Sequence, residues 1–394
     1  MVDIEDIKTI AIIGAGTMGH EIAQVALMGG FFVVLNDVSK EILEEAATKI
    51  KTGLERLETK RKLGPTQTTS NLMKKLIKEV DLKKAVSNAD FVVEAIPEIM
   101  SLKQQLFEKL GTYTPKHAVL GTNTSTMSIT DIASTSGRPN KVIGCHFFTP
   151  IVVLRLIEII KGKDTSEETV DITKKICQKF PALQGKRFLP VLRKESPGFI
   201  VNRLMLSTTL YLNWLLEFAT ENKIPLEQLD ADAESLAEIG PFAKWDYLGL
   251  DIICDTMNYF AEVLSPEFIP GKTLCSLVKK GNLGRKTEKG LFEWKEGKPV
   301  ISKAKKAKLF DLELFMAIQL NEGCKLLNEG VVSSYDIIDK TMLAGMNLPG
   351  PFGLGKRNYK EWAKKLQTFA EKSGIYYLRP CDLMKSGNFI NMRK

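Results

Sequence analysis

The feature that most constrains this chain lies close to its start. An apolar run from Lys8 to Ile13 (KTIAII) passes directly into Gly14-Ala15-Gly16-Thr17-Met18-Gly19, and a helix-period stretch, HEIAQVALMGG, follows at once. A strand that meets a helix through GxGxxG reads as a dinucleotide-binding turn. Gly14 permits the tight turn, Gly16 lets the backbone approach a pyrophosphate, and Gly19 lets the helix pack close. The N–H groups at the helix start face the phosphates. A second apolar strand, FFVVLND, ends in Asp37, 18 residues beyond Gly19, near the distance expected for a carboxylate that binds the ribose hydroxyls. No arginine follows Asp37 closely, and the carboxylate would repel a 2′-phosphate, so NAD is expected rather than NADP. A GxGxxG on its own marks many ordinary strand-to-helix connections. Here the strand before it, the helix after it and the acid beyond it act together.

Ser39 to Leu63 is a long, charged, helix-period stretch, and Asn71 to Val80 reads as a further helix before the next strand, DFVVEAI. This excursion exceeds what a minimal crossover needs. Its cations Lys60, Arg61 and Lys62 form either a solvated helix face or a basic wall for a phosphate-bearing ligand; for any single lysine the solvated face is the reading preferred.

Two polar side chains interrupt the apolar strands VIGCHFFTP and LRLIEII, namely His146 and Glu158. An unpaired buried polar group costs several kcal/mol, so the two are expected to pair. A carboxylate bonded to one imidazole nitrogen fixes the tautomer and leaves the other nitrogen to take a proton from a substrate hydroxyl. The chain has two further histidines, His20 on the dinucleotide helix and His117 in an expected loop. A histidine in a strand is ordinarily a satisfied core residue. The acid partner, the dinucleotide turn and the polar strand end Asn123-Thr124-Ser125 favour the catalytic reading of His146.

Taken in order, GAGTMGHEIA, FVVEAIPE, TNTSTMSIT, HFFTP…LRLIEII, ESPGFIVNRL, GPF…WDYLGLD and NLGRKTEKGLFEW closely resemble the 3-hydroxyacyl-CoA dehydrogenase family over nearly the whole chain. The resemblance implies a role in fatty-acid β-oxidation. It makes His146 the general acid/base and Glu158 its orienting partner, and has Ser125 and Asn202 hold the reacting oxygen. By the same resemblance Glu98, Lys103 and Lys286 contact the nicotinamide cofactor, beside Gly14, Gly16, Thr17, Met18, Gly19, Asp37, Ser125 and Thr149. Substrate binding then falls to Ser125, Asn202 and Lys60, the last toward CoA. The implied reaction is hydride transfer from C3 of a (3S)-3-hydroxyacyl-CoA, such as 3-hydroxybutyryl-CoA, to NAD while His146 removes the hydroxyl proton. One departure stands out: Thr149 follows HFF where the family usually has asparagine, replacing a two-sided amide by a hydroxyl.

The pattern turns helical near Glu195, and ESPGFIVNRLM opens a long helix that carries Asn202. Two stretches then repeat one order. Ile200 to Gly284 has a long helix, LDAD, GPF, a DYLGLD helix and IPGKTLCSLVKKGNLG; Leu309 to Ile390 has a long helix, IIDK, GPFGL, a helix and LRPCDLMKSGNFI. The lysine-rich stretch around Lys295 to Lys308 links them. The expected architecture is an α/β Rossmann-type dinucleotide-binding domain (residues 1–193) followed by all-α C-terminal domains in tandem repeat (194–298 and 305–394). The second copy has no counterpart of PGFIVNR, so catalytic duty is not expected there. In the resembling family such helical domains pair between subunits; two copies in one chain would pair internally, giving a monomer, with a homodimer as the alternative.

Composition excludes other classes. A formal net charge of +8 suits a phosphate-bearing ligand, but the lysines are dispersed, so no nucleic-acid stripe is read. No apolar run reaches a membrane span and no signal peptide precedes the first strand, so a cytoplasmic protein is expected. The six cysteines lack CxxC spacing, which suggests neither a metal site nor a disulfide framework. Other readings kept open are the dehydrogenase part of a larger fused enzyme with an enoyl-CoA hydratase, which is also the expected functional partner, a dehydrogenase of a free hydroxy acid, and a non-catalytic NAD-binding protein.

Overall fold

The computed structural model describes residues 7–233, 239–301 and 305–393. The outermost residues of the expected first and last domains, part of the expected first helical copy (234–238) and the middle of the expected linker (302–304) lie outside them. Eight strands, β1 (Thr9–Ile13), β2 (Phe32–Asn36), β3 (Leu76–Glu79), β4 (Phe91–Glu94), β5 (Val119–Thr122), β6 (Val142–Phe147), β7 (Ile157–Ile160) and β8 (Val191–Leu192), form one sheet. Their order is β3-β2-β1-β4-β5-β6-β7-β8, with β1 to β6 parallel and β7 antiparallel to β6. The sequence direction reverses between β1 and β4, so their carboxyl ends open the crevice where such sheets take ligands. The central strands are continuous apolar runs because helices cover both faces. Those helices are α1 (Thr17–Met28), α2 (Lys40–Thr59), α3 (Thr69–Met73), α4 (Leu82–Val86), α5 (Met100–Tyr113), α6 (Ile129–Ala133) and α7 (Glu167–Lys179).

Asn71 to Val80 departs from the helix expected there. Only Thr69–Met73 is helical, and Leu76–Glu79 becomes edge strand β3 against β2. Its half-exposed side chains, Lys78 paired with Glu44 among them, suit a sheet edge. Helix α2 starts where the sequence placed it, with the Ser39 hydroxyl accepting from the Ile42 N–H.

The helical remainder comprises α8 (Val201–Ser207), α9 (Thr209–Glu221), α10 (Leu226–Asp232), α11 (Pro241–Leu248), α12 (Leu250–Val263), α13 (Lys272–Lys279), α14 (Leu312–Asn328), α15 (Tyr335–Met346), α16 (Pro351–Ser373) and α17 (Asp382–Ser386). The long helix expected from ESPGFIVNRLM is thus two, α8 and α9. By packing, the chain divides into two compact units, Met1–Val201 with Gly330–Gly350 and Asn202–Glu329 with Pro351–Lys394. This division differs from the one expected at 194–298 and 305–394, since α15 is grouped with the sheet. Arg193 N–H donates to the Val331 carbonyl, and Gly345 lies so close to Leu156 that a Cβ there would fall 2.5 Å from its side chain.

Inside the helical unit, Arg203 of α8 is buried against Glu322 and also reaches Glu329 at 3.0 Å. Lys325 and the Tyr377 hydroxyl share the Glu322 carboxylate. Asn213 Oδ1 accepts from Gly271 N–H at 2.9 Å, and Asn321 Oδ1 accepts from Cys381 N–H at 2.8 Å. In the sheet unit the buried Arg187 guanidinium donates to four backbone carbonyls, those of Ile151, Leu154, Phe180 and Pro181. Burial pushes it down to about 10.

Candidate active site

The turn between β1 and α1 is held by contacts that exclude side chains. Gly14 has φ +98°, and a Cβ on it would lie 2.5 Å from the Ala95 carbonyl at the end of β4. A Cβ on Gly19 would lie 1.8 Å from the Gly14 carbonyl, so α1 packs onto the turn only as glycine allows. A Cβ on Gly16 would meet nothing within 4 Å, and with Thr17 the residue is exposed at the helix start. That open cradle of N–H groups fits a pyrophosphate. The half-buried Asp37 carboxylate accepts from Ala15 N–H and Val38 N–H, both at 2.7 Å, which fixes it beside the turn. These residues fit NAD.

His146 and Glu158 are register partners across the antiparallel β6–β7 pair, so their side chains share one face of the sheet. His146 Nδ1 meets Glu158 Oε2 at 2.7 Å, with the side chains 7% and 0% exposed. Glu158 Oε1 accepts from Ile200 N–H and Val201 N–H, both at 3.1 Å. The chain turns into this contact through Gly198 and Phe199, whose φ values are +76° and +56°. Phe148 and Phe199 pack on the imidazole with ring centroids 4.3 and 5.5 Å away. A carboxylate satisfied on both oxygens orients the ring and leaves Nε2 for chemistry.

A second carboxylate centre lies at the ends of β4 and β5. Glu98 Oε1 accepts from Ser125 N–H at 2.6 Å, from the Ser125 hydroxyl at 3.1 Å and from the Thr124 hydroxyl at 2.9 Å. Lys103, on α5, is 1% exposed and joins Glu98 at 3.0 Å to the wholly buried Glu94 at 2.6 Å. Burial pushes the Glu94 carboxyl up, partly offset by Lys103, the Thr122 hydroxyl and Ile96 N–H. The sequence reading missed Glu94 and the role of Asn123, whose Oδ1 accepts from Phe147 N–H at 3.0 Å directly after His146. Glu94 could have been flagged by the rule that exposed His146 and Glu158, a charge inside an apolar strand.

The other expected residues are more scattered. The exposed Thr149 hydroxyl donates to Met18 Sδ at 3.1 Å, which sets it against the dinucleotide turn. Asn202 is the second residue of α8, next to the Val201 N–H that binds Glu158. Lys60 caps the end of α2 and is exposed with Arg61 and Lys62. Lys286 lies in the helical unit, ion-paired with Asp251. His20 contacts the Gly16 carbonyl, and His117 contacts Asp90. Among the described residues no cluster of His, Cys, Asp and Glu could hold a metal ion, and no helix is long and apolar enough to cross a membrane.

Residues 9–187 match the family model described as 3-hydroxyacyl-CoA dehydrogenase, NAD binding domain, and residues 198–294 match 3-hydroxyacyl-CoA dehydrogenase, C-terminal domain. The chain belongs to the 3-hydroxyacyl-CoA dehydrogenase family. It is an NAD-dependent oxidoreductase with a Rossmann-like sheet domain and a helical C-terminal part. A probable 3-hydroxybutyryl-CoA dehydrogenase of Bacillus subtilis is 35% identical over 74% of this chain and 99% of its own length. The mitochondrial hydroxyacyl-coenzyme A dehydrogenase of Rattus norvegicus is 33% identical over 73% of this chain and 92% of its own. The crystal structure of 3-hydroxybutyryl-CoA dehydrogenase from Escherichia coli K12 is 26% identical, with a TM-score of 0.84, over 98% of this chain and 99% of that one.

Proposed function

We propose that this family member interconverts (3S)-3-hydroxyacyl-CoA and 3-oxoacyl-CoA, with His146 and Glu158 as its proton-transfer couple. The observation that carries the reading is the buried 2.7 Å contact between His146 Nδ1 and a Glu158 carboxylate already anchored by two backbone N–H groups. Bound NAD supplies the hydride acceptor. His146 Nε2 takes the proton of the 3-hydroxyl as the hydride leaves C3, and Glu158 stabilises the imidazolium. In reverse the imidazolium donates that proton to the ketone oxygen. Ser125 and Asn202 hydrogen-bond the reacting oxygen. Glu98 borders the nicotinamide and Lys103 acts through it, being enclosed between Glu98 and Glu94. Thr149 and Lys286 complete the cofactor contacts, and Lys60 with its neighbouring cations meets the CoA phosphates.

The helical part is read as two tandem copies that pair within the chain, with residues 1–193, 194–298 and 305–394 as its folding modules. Supporting this, Asn213 and Asn321 each bind the N–H that opens a late helix, at Gly271 and Cys381. Gly240 and Gly350, each opening Gly-Pro-Phe, both abut an aspartate, Asp230 and Asp339, that a Cβ would strike. Nine residues beyond each glycine the copies differ: Gly249, with φ +108°, parts α11 from α12, whereas Tyr359 lets α16 run unbroken. Corresponding turns also meet, Phe268 against Tyr377 with ring centroids 5.0 Å apart, as a two-fold pairing requires. The proposed setting is cytoplasmic, with an enoyl-CoA hydratase supplying the hydroxyacyl-CoA.

The test is NADH oxidation with acetoacetyl-CoA against free acetoacetate, for wild type and His146→Ala. Turnover confined to the thioester and lost in the variant is expected. Equal turnover of free acetoacetate would refute the CoA reading, and an active His146→Ala enzyme would refute the base.

A further inference from the structure

Glu21 belongs to no motif in the sequence, yet in the fold it joins the dinucleotide helix to the chain that leaves the His146 strand. It lies on α1 three residues after Met18, so the two side chains share one face of the helix. Both meet the same short stretch. Met18 Sδ accepts from the Thr149 hydroxyl at 3.1 Å, and Glu21 Oε2 accepts from Ile151 N–H at 2.7 Å.

Ile151 stands at the start of a hydrogen-bonded turn in which Val153 N–H and Leu154 N–H both donate to the Pro150 carbonyl, at 3.0 and 2.9 Å. As at the start of a helix, the first N–H groups of such a turn have no partner within it. Ile151 is wholly buried, so its N–H needs an acceptor from elsewhere in the fold. The Glu21 carboxylate is that acceptor. The far side of the turn is held by Arg187, which donates to the Ile151 and Leu154 carbonyls. Strand pairing holds β6 as far as Phe147. Phe148, which packs on the His146 ring, and Thr149 lie beyond it and take their places from the turn.

We propose that Glu21 is a positioning residue: by seating the turn from Thr149 to Leu154 on α1, it keeps the packing around the His146 imidazole in register with the helix that receives NAD. The proposal rests on the reading of His146 as the base. Glu21 acts here as a hydrogen-bond acceptor of the right reach, not as a charge beside the cofactor, because its oxygen is spent on a backbone N–H that the turn itself cannot satisfy. A displacement of about 1 Å at reacting groups can cost on the order of a hundredfold in rate, so a tether outside the catalytic pair can still govern turnover.

The experiment compares Glu21→Gln, Glu21→Asp and Glu21→Leu in the full chain. Glu21→Gln keeps an acceptor at the same reach without the charge, whereas Glu21→Asp keeps the charge one methylene short. Amide exchange across residues 147–154, followed by mass spectrometry without cofactor, should quicken by about tenfold or more in Glu21→Leu and Glu21→Asp and stay near wild type in Glu21→Gln. With NAD and 3-hydroxybutyryl-CoA, kcat should fall about ten- to a hundredfold in the first two and less than about threefold in Glu21→Gln, with KM for the CoA ester unchanged. The deuterium isotope effect on kcat, with substrate labelled at C3, should rise in the same two variants as hydride transfer becomes the slow step. Wild-type kcat in Glu21→Leu, a loss of kcat without faster exchange, or a Glu21→Gln loss as large as that of Glu21→Leu would each overturn the proposal. Failure of the base reading shows separately, as turnover that survives His146→Ala.

Discussion

Replacing Glu158 by glutamine keeps the shape of the side chain and tests how the paired carboxylate works. Both carboxylate oxygens are engaged, Oε2 by His146 Nδ1 and Oε1 by Ile200 and Val201 N–H. An amide has one acceptor for these two duties. If its oxygen serves the backbone, its NH2 faces Nδ1, the ring proton moves to Nε2, and Nε2 can no longer accept the substrate proton. If its oxygen faces Nδ1, two N–H groups at the entry to α8 lose their partner. The charge is lost in either case. A carboxylate and an imidazolium with centres ~4 Å apart at an effective dielectric constant of ~20 attract by about 4 kcal/mol, of which the amide dipole restores a part. A fall in kcat of about two to three powers of ten is therefore expected. Because Glu158 is wholly buried behind the ring, KM for the CoA ester should stay nearly unchanged. Steady-state NADH formation with 3-hydroxybutyryl-CoA measures both. A Glu158→Gln enzyme with kcat close to wild type, or one whose loss lies in KM, would refute the role given to the pair.

Gly19→Ala would drive a Cβ into the Gly14 carbonyl, so NADH binding followed by fluorescence titration should weaken by more than about tenfold; unchanged binding would mean that the turn relaxes freely. Glu322→Gln removes the carboxylate buried against Arg203 and should cost about 3 to 5 kcal/mol in urea unfolding. Burial pushes Glu322 up, but Lys325 and Arg203 outweigh it and hold the carboxyl below its ordinary range. Its stabilisation is present above the unfolded value of ~4.3 and is lost as pH falls, so the gap between variant and wild type should close in acid. Asp230 is the opposite case, pushed up to about 6 chiefly by burial. Its contribution is full below the unfolded value of ~3.9 and lost as pH rises through 6, about 3 kcal/mol in all, a slope that Asp230→Asn should lack in denaturation curves across that range. Thr149→Asn should change kcat or substrate preference only a few-fold; a sharp change in turnover would give the position more weight than its contact with Met18 implies.

Much of the site could be read from sequence because its physics is local or periodic. The dinucleotide turn is a run of six residues, and an apolar strand advertises any polar intruder, so His146 and Glu158 stood out before their register was known. The Lys103 pairing did not, since a lysine on a charged helix carries no mark of facing inward, even though its partner Glu94 is itself an acid in an apolar run. Asn71 to Val80 misled because a short amphipathic edge strand and a helix turn share the same polar content, and only pairing with β2 decides between them. The grouping of α15 with the sheet depends on how elements pack at long range, which spacing along the chain does not encode.

Arg187 carries one more consequence. Its buried charge is balanced by four carbonyl dipoles instead of a carboxylate, and two of those carbonyls belong to the Ile151–Leu154 turn that leaves the His146 strand. Peeling this turn away would strand a cation in the interior or drag it into water while freeing all its carbonyls together. Small local openings are thereby made as unfavourable as unfolding the sheet itself, so amide exchange in this turn should follow the slowest protons of the domain instead of behaving like a surface loop.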